Sequence, residues 1–301
     1  MRSLFRNNLI TGCLCAIGCE TLFGLSYVFT KQATSIADPF AFLGWRYLIA
    51  AIVMILLAVT GLIRVDLKGK KLRPLLLVAL FNPSVYFIGE TIGISHTTAS
   101  ESGVFLACIP VAALAASTLL LHKKPSQRQV IGILITLAGV SVTVLAVGAS
   151  SSLSMIGYLF LVIAVISYAL YAVFVDKASD FTGAEITFMM TLIGAVVFGV
   201  LAILEAGAHG ELGQLVSLPL RETSFLVAIL YQGICSSALG FFLSNMAIAR
   251  IGVNRTSSFI GIATVVSIIA GVLALGESFS MFQMTGAAVI IAGVCIANSQ
   301  R

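Results

Sequence analysis

A chain of 301 residues that is 59% hydrophobic and only 10% charged, with a mean hydropathy of +1.09, cannot cover itself with polar surface. Water-soluble domains carry about a quarter of their residues as charges. The composition therefore excludes a soluble enzyme or binding module and places the chain in lipid, where every backbone polar group needs an internal partner. The net charge of +5 does not make a nucleic-acid face, because Lys and Arg come in short clusters between apolar runs.

Those runs are about twenty residues long, the length of a spanning helix and not of a barrel strand. Helix 1 is predicted from about Leu9 to Lys31. It follows Arg2 and Arg6, but it is too long for a cleaved leader, holds Glu20 in its middle and lacks a small-x-small cleavage site. Asp38-Pro39 opens helix 2, to about Gly61, and the basic elbow Arg64 to Arg73 leads into helix 3, about Pro74 to Ile94. Helix 4 covers about Ser100 to Leu121 and helix 5 about Gln127 to Val147. The short uncharged run from Gly148 to Ser154 reads as a linker. Helices 6 (about Met155 to Val175), 7 (Ala184 to Ala206), 8 (Ser224 to Ile248), 9 (Thr256 to Leu275) and 10 (Phe279 to Asn298) follow. The longest loop, Gly207 to Arg221, is expected on the surface. Cys13, Cys15, Cys19, Cys108, Cys235 and Cys295 all fall in apolar segments with no Cys-x-x-Cys pair, so they read as packing residues and not as disulfide partners or metal ligands.

The chain is duplicated. Ile94 to Val144 aligns without a gap on Ile248 to Asn298, placing Ser126 on Ser280, Gln129 on Gln283, Gly132 on Gly286 and Ala138-Gly139-Val140 on Ala292-Gly293-Val294. The halves are 1–148 and 149–301. Five helices per half is an odd number, so the second half enters the membrane in the opposite sense, as inverted repeats do. With the N-terminus inside, the loops between helices 2 and 3, 4 and 5, 6 and 7, and 8 and 9, together with the two chain ends, collect Lys and Arg, and only Lys31, Arg46 and Arg221 remain for the other side. This bias predicts both termini in the cytoplasm of a multi-pass protein of the cell (inner or plasma) membrane. The expected fold is all-α, with ten transmembrane helices in two inverted five-helix repeats suited to the alternating access of a secondary transporter.

Charged groups at membrane depth are costly unless paired or hydrated, which makes each a candidate site. Glu20 shares a helical face with Gly24, Tyr27 and Lys31, and reads either as a binding or proton-carrying group or as the ion-pair partner of Arg46. On helix 3, Asn82, Tyr86 and Glu90 recur at four-residue steps beside Pro83, which removes a backbone hydrogen bond; the pattern reads as the wall of a watered cavity. Gln232 and Ser236 on helix 8, and Tyr168 and Tyr171 on helix 6, are the candidates opposite. His96 with Glu101 is read as a solvated pair or an outer gate. Small residues on helices 4 and 9 (Ser100, Ser102, Gly103, Ala107; Ser257, Ser258, Gly261, Ala263) predict close helix contact.

Leu22-Phe23-Gly24-Leu25-Ser26 followed by Lys31, then Pro39 and Arg46, Pro110, and Glu277 with Gln283, Gly286 and Gly293, together resemble the motifs of the drug/metabolite transporter superfamily, and within it the ten-helix EamA-type proteins. The resemblance covers nearly the whole chain. It implies a central path lined by helices 3, 4, 8 and 9 with 1 and 6. Phe23 stands where the family has Trp, Lys123 where the first elbow has Glu, and Thr264 where helix 9 would repeat Pro110.

The function expected is export of a small metabolite, an amino acid or related amphipathic compound, whose two charged ends would suit Glu20, Glu90 and Arg46. Protons are the candidate coupling ion, no cofactor or metal is called for, and the protein is read as a monomer or homodimer. The rival classes are a membrane-embedded enzyme, for which Gly-x-Ser-x-Gly and His-Glu-x-x-His are both missing, and a non-transporting scaffold. No Walker A motif points to direct use of ATP.

Overall fold

A computed structural model describes residues 2–96, 105–106, 108–145, 154–275 and 281–298. Its elements are α1 (Arg2–Thr34), α2 (Pro39–Val59), α3 (Arg73–Ala79), a π-type segment (Leu80–Val85), α4 (Tyr86–Ser95), α5 (Ile109–Leu121), α6 (Gln127–Leu145), α7 (Met155–Lys177) and α8 (Gly183–Ala208). After these come α9 (Leu212–Arg221), α10 (Thr223–Leu230), a second π-type segment (Tyr231–Gly240), α11 (Phe241–Ile251), α12 (Val253–Ser258), α13 (Ile260–Leu275) and α14 (Met281–Asn298). Among the described residues six helical spans are long and apolar enough to cross a membrane, and three shorter apolar helices accompany them. Exposed apolar side chains such as Ile52, Ile55 and Leu56 on α2, and Val196, Val200 and Leu204 on α8, form the belt that lipid covers.

Predicted helix 3 is α3, the first π-type segment and α4 in series; predicted helix 8 is α10, the second π-type segment and α11. The loop from Gly207 to Arg221 is corrected: most of it is the helix α9, on the surface as expected but ordered by its own apolar spacing. The start of predicted helix 4 with Ser100, Glu101, Ser102, Gly103 and Ala107, the linker residues 148–153, and the elbow residues 276–280 with Glu277 lie outside the described residues. So do the side chains of Tyr27, Lys31 and Gln283.

Packing ties each half to the other. The most extensive interfaces join α6 with α14 and α2 with α8, and each of these pairs consists of repeat equivalents. A Cβ at Gly139 would stand 2.9 Å from the Gly286 carbonyl, and one at Gly293 would stand 2.7 Å from the Gly132 carbonyl. Each repeated glycine therefore meets the other glycine of the second copy, and the two backbones close up as lipid-embedded helices must when nothing apolar drives them together. In this pair 132 lies by 293 and 139 by 286, so the helices run antiparallel. Gly44 against Ala202 and Gly194 against Tyr47 give the same sense for α2 and α8. Equivalent helices lying antiparallel is the relation an inverted repeat requires. The remaining contacts follow: α4 packs on α7 as the second π-type segment and α11 pack on α1.

Candidate functional site

Two helix breaks shape the interior. Pro83 has no N–H, so the carbonyl of Ala79, four residues back, loses its helical donor. Ser84 Oγ replaces it at 3.0 Å, and α7 sends Ser167 Oγ to the Phe81 carbonyl at 2.7 Å. Asn82, at φ −143° and ψ 119°, is extended between two helical stretches, and its buried Oδ1 accepts no hydrogen bond. The second break needs no proline. Shifting Leu80–Val85 by the repeat offset of 154 gives 234–239, inside Tyr231–Gly240. Equivalent helices thus depart from regular α-helix at equivalent positions, the first as a kink at the extended Asn82 and the second as a π-type stretch, and π-type turns are frequent at functional sites.

Side chains from seven elements meet around these breaks. Tyr86 Oη donates to Glu90 Oε1 at 2.8 Å. From α2, Arg46 Nε donates to Ser237 Oγ at 2.7 Å and Nη2 to Ser236 Oγ at 3.1 Å, while the guanidinium carbon lies 4.7 Å from the centre of the Phe87 ring. Glu90 and Tyr86 lie within electrostatic reach of Arg46. Tyr86, Tyr168 and Tyr171 run edge to face, with successive ring centres 5.6 and 5.4 Å apart. That run leads to Glu20, which is 3% exposed, accepts from the Cys19 thiol at 3.5 Å and lies within reach of Tyr168 and Tyr171. Tyr171 Oη donates to Asn245 Oδ1 at 2.8 Å, and Asn245 Nδ2 donates to Thr187 Oγ1 at 3.0 Å. The polar centre holds a guanidinium and one carboxyl at one end of a tyrosine row and a second carboxyl at the other.

Most of the sequence candidates come together here: Glu20, Tyr86, Glu90, Tyr168, Tyr171, Ser236 and Arg46, while Asn82 sits buried at the first break. Gln232 does not join them. Its Nε2 donates to the Ser26 carbonyl at 2.8 Å and to Thr30 Oγ1 at 2.6 Å, so it braces the second π-type segment against α1, with its Oε1 unpartnered. Glu20 and Arg46 form no ion pair with each other. α1 and α2 scarcely touch, because α1 packs on α11 and α13 while α2 packs on α8, and the serines reach Arg46 instead. His96 is exposed at the end of α4, and Glu101 lies outside the described residues. Sequence reading passed over Ser237, Asn245, Ser244 and Thr187. A signal was present for one of them, since Gln232, Ser236, Gly240 and Ser244 continue a four-residue stripe along helix 8.

An apolar exterior, antiparallel pairing of duplicated helices and charges gathered between two broken helices define a multi-pass membrane protein of the inverted-repeat transporter class. The family model of the EamA-like transporter family matches residues 10–145 and again residues 155–299, so the chain belongs to that family and is a membrane transporter. The uncharacterised transporter YcxC of Bacillus subtilis is 32% identical over 287 residues, 95% of this chain and 92% of the relative. A probable terminal-alkyne amino-acid exporter of Streptantibioticus cattleyicolor is 24% identical over 215 residues, 71% of this chain and 69% of the relative. A solved crystal structure superposes with a TM-score of 0.77 at 17% identity, covering 95% of this chain and 97% of its own, and shares the fold.

Proposed function

We propose that the protein exports amino acids or related amphipathic zwitterions across the cell membrane by alternating access between its two halves, with both termini in the cytoplasm. The observation that carries this reading is the arrangement of the buried charges: among the described residues Arg46, Glu90 and Glu20 enter no ion pair, yet Arg46 and Glu90 lie in reach of Tyr86 and Glu20 in reach of Tyr168 and Tyr171, along one row of tyrosines. Arg46, with Glu90 in electrostatic reach, and Glu20 at the far end of the row are opposite charges left apart, and in a water-poor interior that arrangement favours a ligand that carries both signs. An ammonium group is drawn to Glu20 and the faces of Tyr168 and Tyr171, a carboxylate to the unused donors of Arg46, and an apolar side chain to the rings between. The Streptantibioticus relative is named for amino-acid export, which fits that chemistry. Glu20, whose polar partner is a thiol, is the group we assign to proton coupling or ammonium binding.

The test is flux in liposomes of an amphipathic amino acid, its decarboxylated amine and its deaminated acid. The zwitterion is expected to move at least about 10-fold faster than either analogue, a difference of about 1.4 kcal/mol. Glu20→Gln and Glu90→Gln are each expected to reduce that flux by a similar factor while the protein still inserts. Undiminished flux in both variants removes the carboxyls from the mechanism, and equal transport of the amine removes the zwitterion.

A further inference from the structure

α9 takes no part in the polar centre, yet its sequence is patterned. At helical spacing Leu212, Val216 and Leu220 form one stripe, with Leu215, Leu218 and Pro219 beside it, and Gly213, Gln214, Ser217 and Arg221 fill the remaining arc. The Leu215 group faces protein: Pro219 is buried, and the Trp45 indole N–H donates to the Leu215 carbonyl at 3.0 Å. The Leu212 group faces away from it, with Leu212 46%, Val216 67% and Leu220 90% exposed.

The position of α9 in the fold supplies the occupant. α8 has 26 residues, about 39 Å at 1.5 Å per residue, against a hydrocarbon core of about 30 Å. Its last turn, with Glu205 and the following His209, therefore stands at headgroup level. Exposed Val196, Val200, Ile203 and Leu204 carry the lipid belt up to that level. Gly210, at φ +72°, turns the chain, and α9 follows between exposed Glu211 at one end and exposed Arg221 and Glu222 at the other. Trp45, the residue that holds α9, is of the type enriched where membrane meets water.

We propose that α9 is an interfacial helix whose partner is phospholipid: it lies along the membrane surface with Leu212, Val216 and Leu220 at the boundary between headgroups and acyl chains. Its apolar stripe continues the belt of α8, its inner edge is fastened to α2 through Trp45, and its polar arc faces water. This is the geometry of a helix lying in the interface plane and not across it.

The experiment places tryptophan in α9 of the full-length protein in phosphatidylcholine vesicles and reads quenching by lipids brominated near the glycerol end of the chain. Wild-type protein supplies the Trp45 background. Val216→Trp and Leu220→Trp are expected to add blue-shifted emission that brominated lipid quenches at least 2-fold. Gln214→Trp, on the polar arc, should add water-like emission quenched less than half as much. Leu220 is almost fully exposed, so Leu220→Trp reads the same surface if Val216→Trp inserts poorly. Equal, weak quenching at 214 and 220 overturns the proposal. Energy transfer between copies labelled at position 220, without lipid quenching, also overturns it by assigning the stripe to a second copy of the chain.

Discussion

Asn245 fixes the hydroxyl of Tyr171 from one side while donating to Thr187 on the other, which leaves the tyrosine ring free to border Glu20. Asn245→Leu keeps the volume and removes both bonds, so the buried Tyr171 hydroxyl keeps only the longer contact with Ser244 Oγ at 3.4 Å, at a cost of about 1–3 kcal/mol. The expected result is a lower melting temperature of the purified protein and weaker substrate binding. Tyr171→Phe, which removes the hydroxyl together with its need for a partner, should cost less stability than Asn245→Leu. A melting temperature unchanged in Asn245→Leu would show that the amide is not holding the ring. Ser126 is a second residue whose meaning came only with contacts. Its Oγ accepts from Gln129 N at 3.2 Å, and its own N–H donates to Gln129 Oε1 at 2.9 Å, a capping box at the start of α6. In the first repeat Ser126 and Gln129 thus serve helix initiation and not chemistry. Ser126→Ala is expected to lower stability by about 1 kcal/mol without changing substrate preference, as read by thermal unfolding beside a competition assay.

At the scale of elements, the repeated glycines set how closely α6 and α14 approach. Gly139→Leu would push a side chain into the Ile290 backbone, 2.8 Å from where even a Cβ would stand, so the two helices must separate. Gly199, on α8, has no atom within 4 Å of its virtual Cβ, and Gly199→Ala is expected to be neutral or stabilising by up to about 1 kcal/mol from helix propensity alone. Thermal unfolding of the two variants should move in opposite directions or differ by several degrees; equal curves would mean the glycine contact carries no weight. Element existence was readable from sequence because a run of twenty apolar residues has one use in lipid. The interior of the elements was less readable. Pro83 announced the first break, whereas the second, in Tyr231–Gly240, arises where that helix packs on α1 and α2, with Gly233 against Ile49 and Gly240 against Phe23. Nothing local in the residues specifies it. α9 was hidden for a related reason: the stretch from Gly207 to Arg221 holds Pro219 and three glycines, and the spacing of its leucines has meaning only beside Trp45.

For the whole molecule, three polar links lie on the side we assign to the cytoplasm. Lys70 Nζ meets Glu185 at 2.9 Å, Lys123 Nζ meets Asp176 at 2.7 Å, and Arg250 Nη1 donates to Asn8 Oδ1 at 3.1 Å. Glu185 is the most firmly held of these groups, since it also accepts the backbone N–H groups of Thr182 and Asp66 and caps α8. Lys123 is half exposed, and its bond joins the elbow after α5 to the end of α7, so it spans the two halves. In alternating access these links must part when that side opens. An exposed pair of this kind contributes about 0.2–1 kcal/mol, and salt screens it, with a Debye length of about 10 Å at 0.1 M and about 3 Å at 1 M. If opening of this side limits turnover, flux through the wild type should rise by up to about 5-fold between low and high ionic strength at equal substrate. Lys123→Gln should show the faster rate at low salt already and little further change, because the screened bond no longer exists. Lys70→Gln should keep the wild type's salt response, since it leaves the Lys123–Asp176 bond in place and Glu185 keeps its backbone donors. Flux that falls with salt in the wild type, or rises equally in Lys123→Gln, would place the limiting step away from this face and leave Lys123–Asp176 as a static tie between the halves.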